Sequence, residues 1–209
     1  MTLIIKFVCC NFGVGSDYGT ILSMIKIGVM GAVGSFSEQA GELYQNREGL
    51  LDSVIVPLVT AEAVLQALSE KTIDKAIFPV MNNNGGIVIE AMHAMAKHTF
   101  TIETMFDMDI HHMLLVVPGV STTDITAVLS HDQAIKQCRH YLEREWRMAE
   151  IMPYRDTAQA AADLAHGLLP RSTAVIASRR AADVYGLTIL QHSIQDAEIN
   201  KTTFVVAEL

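Results

Sequence analysis

Residues 25–47 read IKIGVMGAVGSFSEQAGELYQNR, and the fold class follows from them. Ile25–Met30 is an apolar run of strand length, and Gly31–Gly34 bounds a tight turn. From Ser35 to Arg47 the pattern changes to helical spacing. Ser35 followed three residues later by Glu38 has the spacing of a capping box, which marks the start of the helix. A strand that feeds a helix through a short turn is the building block of a doubly wound α/β sheet.

The same unit recurs down the chain. Val54–Val59 reads as a strand and Thr60–Lys71 as a helix; Ala76–Val80 is a strand, Asn82–Gly86 a turn, and Ile87–His98 a helix. Phe100–Met108 and Met113–Val117 read as extended, and Pro118-Gly119 with Ser121–Asp124 as a turn. A second set follows: strands at Ile125–Leu129, Glu150–Pro153, Thr173–Ala177 and Leu187–Ile194, with helices at Asp132–Glu145, Thr157–His166 and Ser178–Tyr185. Thr203–Ala207 is a last β-branched strand beyond the polar turn Gln195–Lys201. This order predicts two α/β lobes: one from about 25–103 plus 197–209, the other from about 104–196. A small ligand would then bind between them.

Composition narrows the function. The chain has 209 residues, 50% of them hydrophobic and 18% charged, enough to bury a large core. Its formal net charge is −8 with scattered basic residues, so no nucleic-acid partner is expected. Cys9, Cys10 and Cys138 form neither a disulfide framework nor a metal-ligand pair, which predicts a reducing cytoplasmic setting. No apolar run reaches the length of a membrane helix, so no membrane partner is expected. Residues 1–24 have a thin basic start, an interrupted apolar stretch and no small-x-small cleavage site. They read as an N-terminal extension or a misassigned start, not as an export signal.

Four segments stand at strand ends, where α/β proteins place ligand groups. Gly31–Glu38 opens a helix and offers free N–H groups to an anion, though a plain turn and cap explain it equally. It matches neither a dinucleotide fingerprint nor a phosphate loop, so no cofactor is expected. Pro79–Gly86 presents Asn82, Asn83 and Asn84 in a row, a ligand edge or a turn. Ser130-His131-Asp132-Gln133 begins another helix, where a cap is expected, although His131 and Gln133 exceed what a cap needs. Asn200–Phe204 in isolation is an ordinary strand start. Asp107, Asp109 and His111 imitate metal ligands, but strand alternation accounts for their spacing and no metal is expected.

In this order the four segments resemble the signatures of the prephenate dehydratase family. Gly31–Ser37 is similar to its Gly-Pro-x-Gly-Thr/Ser-Phe/Tyr-Ser, Pro79–Gly86 to Pro-x-Glu-Asn-Ser-x-x-Gly, and Ser130–Ala134 with Gln137-Cys138 to Ser-His-Pro-Gln-Ala. Asn200–Phe204 resembles Asn-x-Thr-Arg-Phe. Thr157–Ala161, Ala177–Ala182, Tyr185–Leu187 and Ile194–Asp196 extend the resemblance across residues 25–209. It implies a two-lobed fold like that of the type II periplasmic binding proteins, with prephenate in the cleft and a homodimer by analogy. The chain ends at Leu209 after the last catalytic-domain strand, so neither a phenylalanine-binding ACT domain nor feedback control is expected.

The family's roles carry over as expectations. Thr202 is the catalytic hydroxyl assisting loss of the ring hydroxyl, and Asn82 and Gln133 orient substrate oxygens. Ser35, Ser37, Asn83, Ser130, His131, Thr203 and Phe204 bind or wall the substrate, and His112 fits a family position as a structural or a site residue. Ala32, Met81, Asp132 and Thr203 depart from the signatures, replacing Pro, Glu, Pro and Arg. The lost acid and base suggest that positions 81 and 203 pair across the cleft, a pairing that distant side chains would exclude. Their loss also leaves open a prephenate decarboxylase that does not expel the hydroxyl, or a binding module without turnover.

Overall fold

A computed structural model describes residues 24–209. The expected N-terminal extension therefore lies, apart from Met24, outside the described residues. The chain builds two mixed sheets flanked by helices, which agrees with the α/β class read from the sequence.

The first sheet contains β1 (Lys26–Val29), β2 (Val54–Pro57), β3 (Lys75–Asn82), β5 (Thr101–Asp109) and β11 (Lys201–Glu208) in the order β2-β1-β3-β11-β5. A two-residue strand, β4 (Gly86–Ile87), turns back on β3. β1 runs parallel to β2 and β3, whereas β11 is antiparallel to both of its neighbours. Helix α1 (Phe36–Glu48) covers one face, where Ile27, Val29, Ile77, Phe106, Phe204 and Val206 are buried. Helices α2 (Ala61–Ser69) and α3 (Ile89–Met95) cover the other, against Phe78, Val80 and Val205. Each large side chain removed from water in these layers stabilises the fold by about 1.5–3 kcal/mol.

The second sheet runs β10-β6-β9-β7-β8, from β6 (Met113–Val116), β7 (Ala127–Ser130), β8 (Glu150–Pro153), β9 (Thr173–Ala177) and β10 (Thr188–Gln191). β7 is parallel to β8 and β9, while β6 is antiparallel to β9 and β10. Helices α4 (Asp132–Gln137), α5 (Arg139–Glu145), α6 (Thr157–Ala165) and α7 (Arg179–Tyr185) flank it. β5 stays paired with β11 as far as Asp109, so the chain changes sheets at 110–112 and returns after Ile194.

Two expected elements differ for identifiable reasons. The single helix read over Asp132–Glu145 is broken at Cys138, whose φ of −113° and ψ of 15° leave the helical region. The Asp196 carboxylate accepts from the His140 and Tyr141 N–H groups, capping α5 from a distant loop that sequence periodicity cannot reveal. The strand read over Leu187–Ile194 stops at Gln191, before Ser193 takes a positive φ of 51°.

The two sheets also meet beside α1. Gly34 sits at φ +83°, and a Cβ there would lie 3.1 Å from the Ala181 Cα on α7. Glycine permits this approach, and the Ser178 hydroxyl, which also caps α7, donates to the Gly34 carbonyl at 2.6 Å.

Candidate active site

The first turn of α1, the ends of β3 and β11, the starts of α4 and α6, and the 110–112 crossover enclose a cleft of about 230 Å³. Phe36 and Ser37 come from α1, Pro79 and Asn82 from β3, Thr202 and Phe204 from β11. His131, Gln133, Ala134 and Gln137 come from α4 and its cap, Thr157 from α6, and Ile110 and His112 from the crossover. Most of the wall is apolar, and no Lys or Arg lines it among the described residues. The first-turn N–H groups of α1 and α6 supply the local positive potential, as unpaired helix N-termini do for anions.

A β-bulge aims the polar groups. Phe204 faces Pro79 and Val205 faces Phe78, but Thr203 is opposite Met81 and Thr202 opposite Asn82, so β3 carries one extra residue between them. With strict alternation Asn82 would project toward α2 and α3. The inserted residue returns it to the face that carries Thr202.

Asn82 is the hub of a hydrogen-bond network whose directions are fixed by the backbone. Its Oδ1 accepts from the Asn84 N–H at 3.0 Å and the Gly85 N–H at 2.7 Å. Nδ2 must therefore face the other way, donating to Thr202 Oγ1 and Asn200 Oδ1 at 2.9 Å each and to the Lys201 carbonyl at 3.1 Å. Gln137 Nε2 also donates to Asn82 Oδ1, at 3.2 Å. Gln137 Oε1 then accepts from Asn200 Nδ2 at 3.0 Å and from His112 Nε2 at 2.7 Å. Burial holds the His112 pKa below its ordinary value although the Gln137 bond works against this, so the ring is neutral at pH 7.

The cleft brings together Thr202, Asn82, Gln133, Ser37, His131 and Phe204 among the residues expected from the sequence. Gln133 packs on Gly85, where an added Cβ would lie 3.0 Å from its Nε2. Four expected residues lie elsewhere. Ser35 is the N-cap of α1, its Oγ accepting from the Glu38 N–H at 3.2 Å, while the Glu38 carboxylate takes the Gly34 N–H. Asn83 clasps the β11 approach, accepting from the Lys201 N–H at 2.8 Å and donating to the Ile199 carbonyl at 3.2 Å. Ser130 is fully buried and donates to the Ile176 carbonyl at 2.7 Å. Thr203 alternates to the far face, where its hydroxyl donates to Asp107 Oδ1 at 2.7 Å.

Positions 81 and 203 are neighbours, as the expected pairing requires, but they are register partners on adjacent strands of one sheet. They do not face each other across the cleft. Sequence reasoning did not place Gln137, Asn200 or Thr157 at the site, although all three lie in the matched segments. Their amide and hydroxyl side chains at the ends of those segments were the available signal. Among the described residues no cluster of three or more His, Cys, Asp or Glu is placed to hold a metal ion.

The family model for prephenate dehydratase matches residues 27–208. The chain belongs to the prephenate dehydratase family. Among curated members, arogenate dehydratase/prephenate dehydratase 6 of Arabidopsis thaliana is 36% identical over 185 residues, covering 88% of this chain and 43% of the relative. Arogenate dehydratase 1 of Petunia hybrida is 35% identical, with 88% and 42% covered. The chain thus spans less than half the length of these relatives. The prephenate dehydratase of Arthrobacter aurescens, in a crystal structure with L-Phe, superposes with a TM-score of 0.79 at 25% identity, over 88% of this chain and 60% of that one. Within this prephenate dehydratase fold, the Met81 and Thr203 departures sit on the face turned away from the cleft.

Proposed function

We propose that the cleft converts prephenate to phenylpyruvate, carbon dioxide and water. In this reaction the bond to the ring carboxylate breaks, its electron pair enters the ring, and the ring C–O bond breaks as the hydroxyl departs. Aromatisation drives the step. One proton is consumed overall as hydroxide becomes water, and it comes from solvent because a Thr hydroxyl is too weak an acid to be its source.

The observation that carries this reading is the bond from Asn82 Nδ2 to Thr202 Oγ1 at 2.9 Å. An amide that donates to the hydroxyl oxygen leaves the O–H free to donate, and Thr202 is positioned to offer it to the departing oxygen. Such a donor acts only where charge develops, which favours the transition state over bound substrate. Gln133 and Gln137 line the same wall to orient the substrate, Phe204 backs it, and the α1 and α6 first turns receive the carboxylates. The departures from the family signature fall outside this set, which supports retained turnover.

The test follows phenylpyruvate and carbon dioxide together after adding prephenate and, in parallel, phenylalanine and carbon dioxide after adding arogenate, the substrate in the names of the relatives. Equal release of both products, lost by about 10²-fold or more in Thr202→Val and largely kept in Thr202→Ser, is the expected result. Carbon dioxide without the aromatic product of the substrate added would assign a decarboxylase, and no product from either substrate above the spontaneous rate would assign a binding module.

A further inference from the structure

We infer that His112 is a positioning residue for the Thr202 hydroxyl, acting through Gln137 and Asn82, and that it works as the neutral Nε2–H tautomer. The inference rests on the dehydratase reading of the cleft. His112 occupies the 110–112 crossover between the sheets and is buried. Its backbone is pinned on both sides: the His112 N–H donates to Gln195 Oε1 at 3.0 Å, and its carbonyl accepts from the Ile194 N–H at 2.9 Å. The ring meets the edge of Phe36 at a centroid distance of 5.3 Å and an interplanar angle of 85°. Its hydrogen bond runs to Gln137.

The tautomer follows from the network. Asn82 Oδ1 is held as an acceptor by two backbone N–H groups, so Gln137 must turn its NH2 toward it and its Oε1 toward His112. That oxygen can only accept, so the proton lies on His112 Nε2. His112 Nδ1 is then left buried without a partner. An apolar side chain would fill the same space without that unpaired lone pair, a cost a purely structural residue would not need to bear. With the proton moved to Nδ1, two lone pairs would face each other across the 2.7 Å gap and Gln137 would swing away. Asn82 would stay anchored by its two backbone bonds, but Asn200 would lose the acceptor that holds its Nδ2, and with it the fixed place of the Oδ1 that shares Asn82 Nδ2 with Thr202 Oγ1.

The set also spans the molecule. Asn82 and Thr202 belong to the first sheet, Gln137 to a helix of the second, and His112 and Asn200 to the two crossovers. The relay is complete only when both sheets are seated against each other, so it ties the direction of the Thr202 proton to a closed cleft.

The experiment compares wild type with His112→Phe, which keeps the ring contact but has no donor, and His112→Gln, which restores an N–H near the Nε2 position. Expected is a fall in kcat of about tenfold or more in the Phe variant, with KM within about threefold of wild type and most of the loss recovered in the Gln variant. An unchanged kcat in the Phe variant, or equal losses in both, would overturn the role. Nitrogen-15 NMR of labelled histidine reads the second half: a protonated Nε2 and unprotonated Nδ1 at neutral pH are expected, redistributed in Gln137→Leu. Imidazolium, or the opposite tautomer, would overturn it even if the Phe variant failed to fold. If wild type turns over no prephenate, the functional reading falls, while the tautomer and its response to Gln137→Leu still decide the relay.

Discussion

Replacing Asn82 with Asp exchanges one NH2 for an oxygen and keeps the shape of the side chain. Oδ1 retains its bonds from the Asn84 and Gly85 N–H groups, so the turn after β3 survives. The new oxygen meets the Lys201 carbonyl and Asn200 Oδ1, which cannot donate as the amides are placed, and Thr202 Oγ1, which can. Thr202 will turn its O–H onto the carboxylate, away from the substrate. Losing one aimed donor costs about 2.7–4 kcal/mol of transition-state stabilisation, or about 10²–10³ in kcat. The added negative charge beside the proposed dianionic substrate raises KM as well, because no Lys or Arg among the described residues lines the cleft to offset it. Stability should fall by only about 1–3 kcal/mol, for the polar groups left facing each other. The assay is steady-state formation of phenylpyruvate, with a urea titration to confirm that the variant is folded. A folded Asn82→Asp protein with kcat within about threefold of wild type would refute the reasoning, since the hydroxyl would then need no orienting donor.

Three further outcomes are expected. Gly85→Ala places a Cβ 3.0 Å from Gln133 Nε2 and 3.3 Å from Asn82 Oδ1, and the first of these is the end of a flexible side chain. It should therefore lower kcat/KM by about three- to tenfold with an unfolding midpoint near that of wild type, and unchanged kinetics would sink the assigned contact. Burial presses the Glu103 carboxyl upward, but hydrogen bonds from Lys75 at 2.6 Å and from Tyr44 at 2.8 Å outweigh it and hold the pKa below 4.5. Its contribution is complete above that value and lost as pH falls through the lower folded-state pKa, so Lys75→Met should flatten the acid limb of a stability-versus-pH curve, and an unchanged slope would contradict this. Restoring the family pair with Met81→Glu and Thr203→Arg should leave kcat within about threefold of wild type and couple by about 0.2–1 kcal/mol in a double-mutant cycle; a large change in kcat would place position 203 at the chemistry after all.

The strand order within each sheet depends on long-range pairing, but the alternation that defines the class was legible from Ile25 onward. Glu150–Pro153 and Thr173–Ala177 coincide with β8 and β9, because both are short apolar runs bounded by turn residues. The break at Cys138 was not legible, since the group that caps α5 lies at Asp196, far along the chain. Within the site, motif position identified Thr202 and Asn82 but could not say which neighbouring side chains share their face. Thr203 was expected beside the substrate because it stands at the Arg of the family signature, yet strand alternation sends it to Asp107. Conversely, Asn82 faces the cleft only because of a one-residue bulge, which a sequence pattern read with a strict period of two would miss. Gln133 and Gln137 are one helical turn apart on α4, so both reach the wall and residue type alone does not rank them.

That no Lys or Arg among the described residues lines the cleft fits the proposed chemistry better than its charge balance first suggests. The proposed substrate, prephenate, arrives as a dianion, and one of its carboxylates leaves as neutral carbon dioxide, so negative charge at that position disappears along the reaction coordinate. A guanidinium bonded to that carboxylate would hold the ground state more firmly than the transition state and would slow the step it was meant to assist. Neutral donors do so less. In the proposed reaction charge appears instead on the departing hydroxyl, and the proposed donor to it is the O–H of Thr202, whose Oγ1 accepts from Asn82 Nδ2. Under the proposed reading the donor set Asn82–Thr202 acts where charge develops, while Phe204, Ile110 and Pro79 supply apolar wall in the same cleft. This division of the cleft requires Thr202 to affect kcat more than KM, and the first turns of α1 and α6 to affect KM more than kcat.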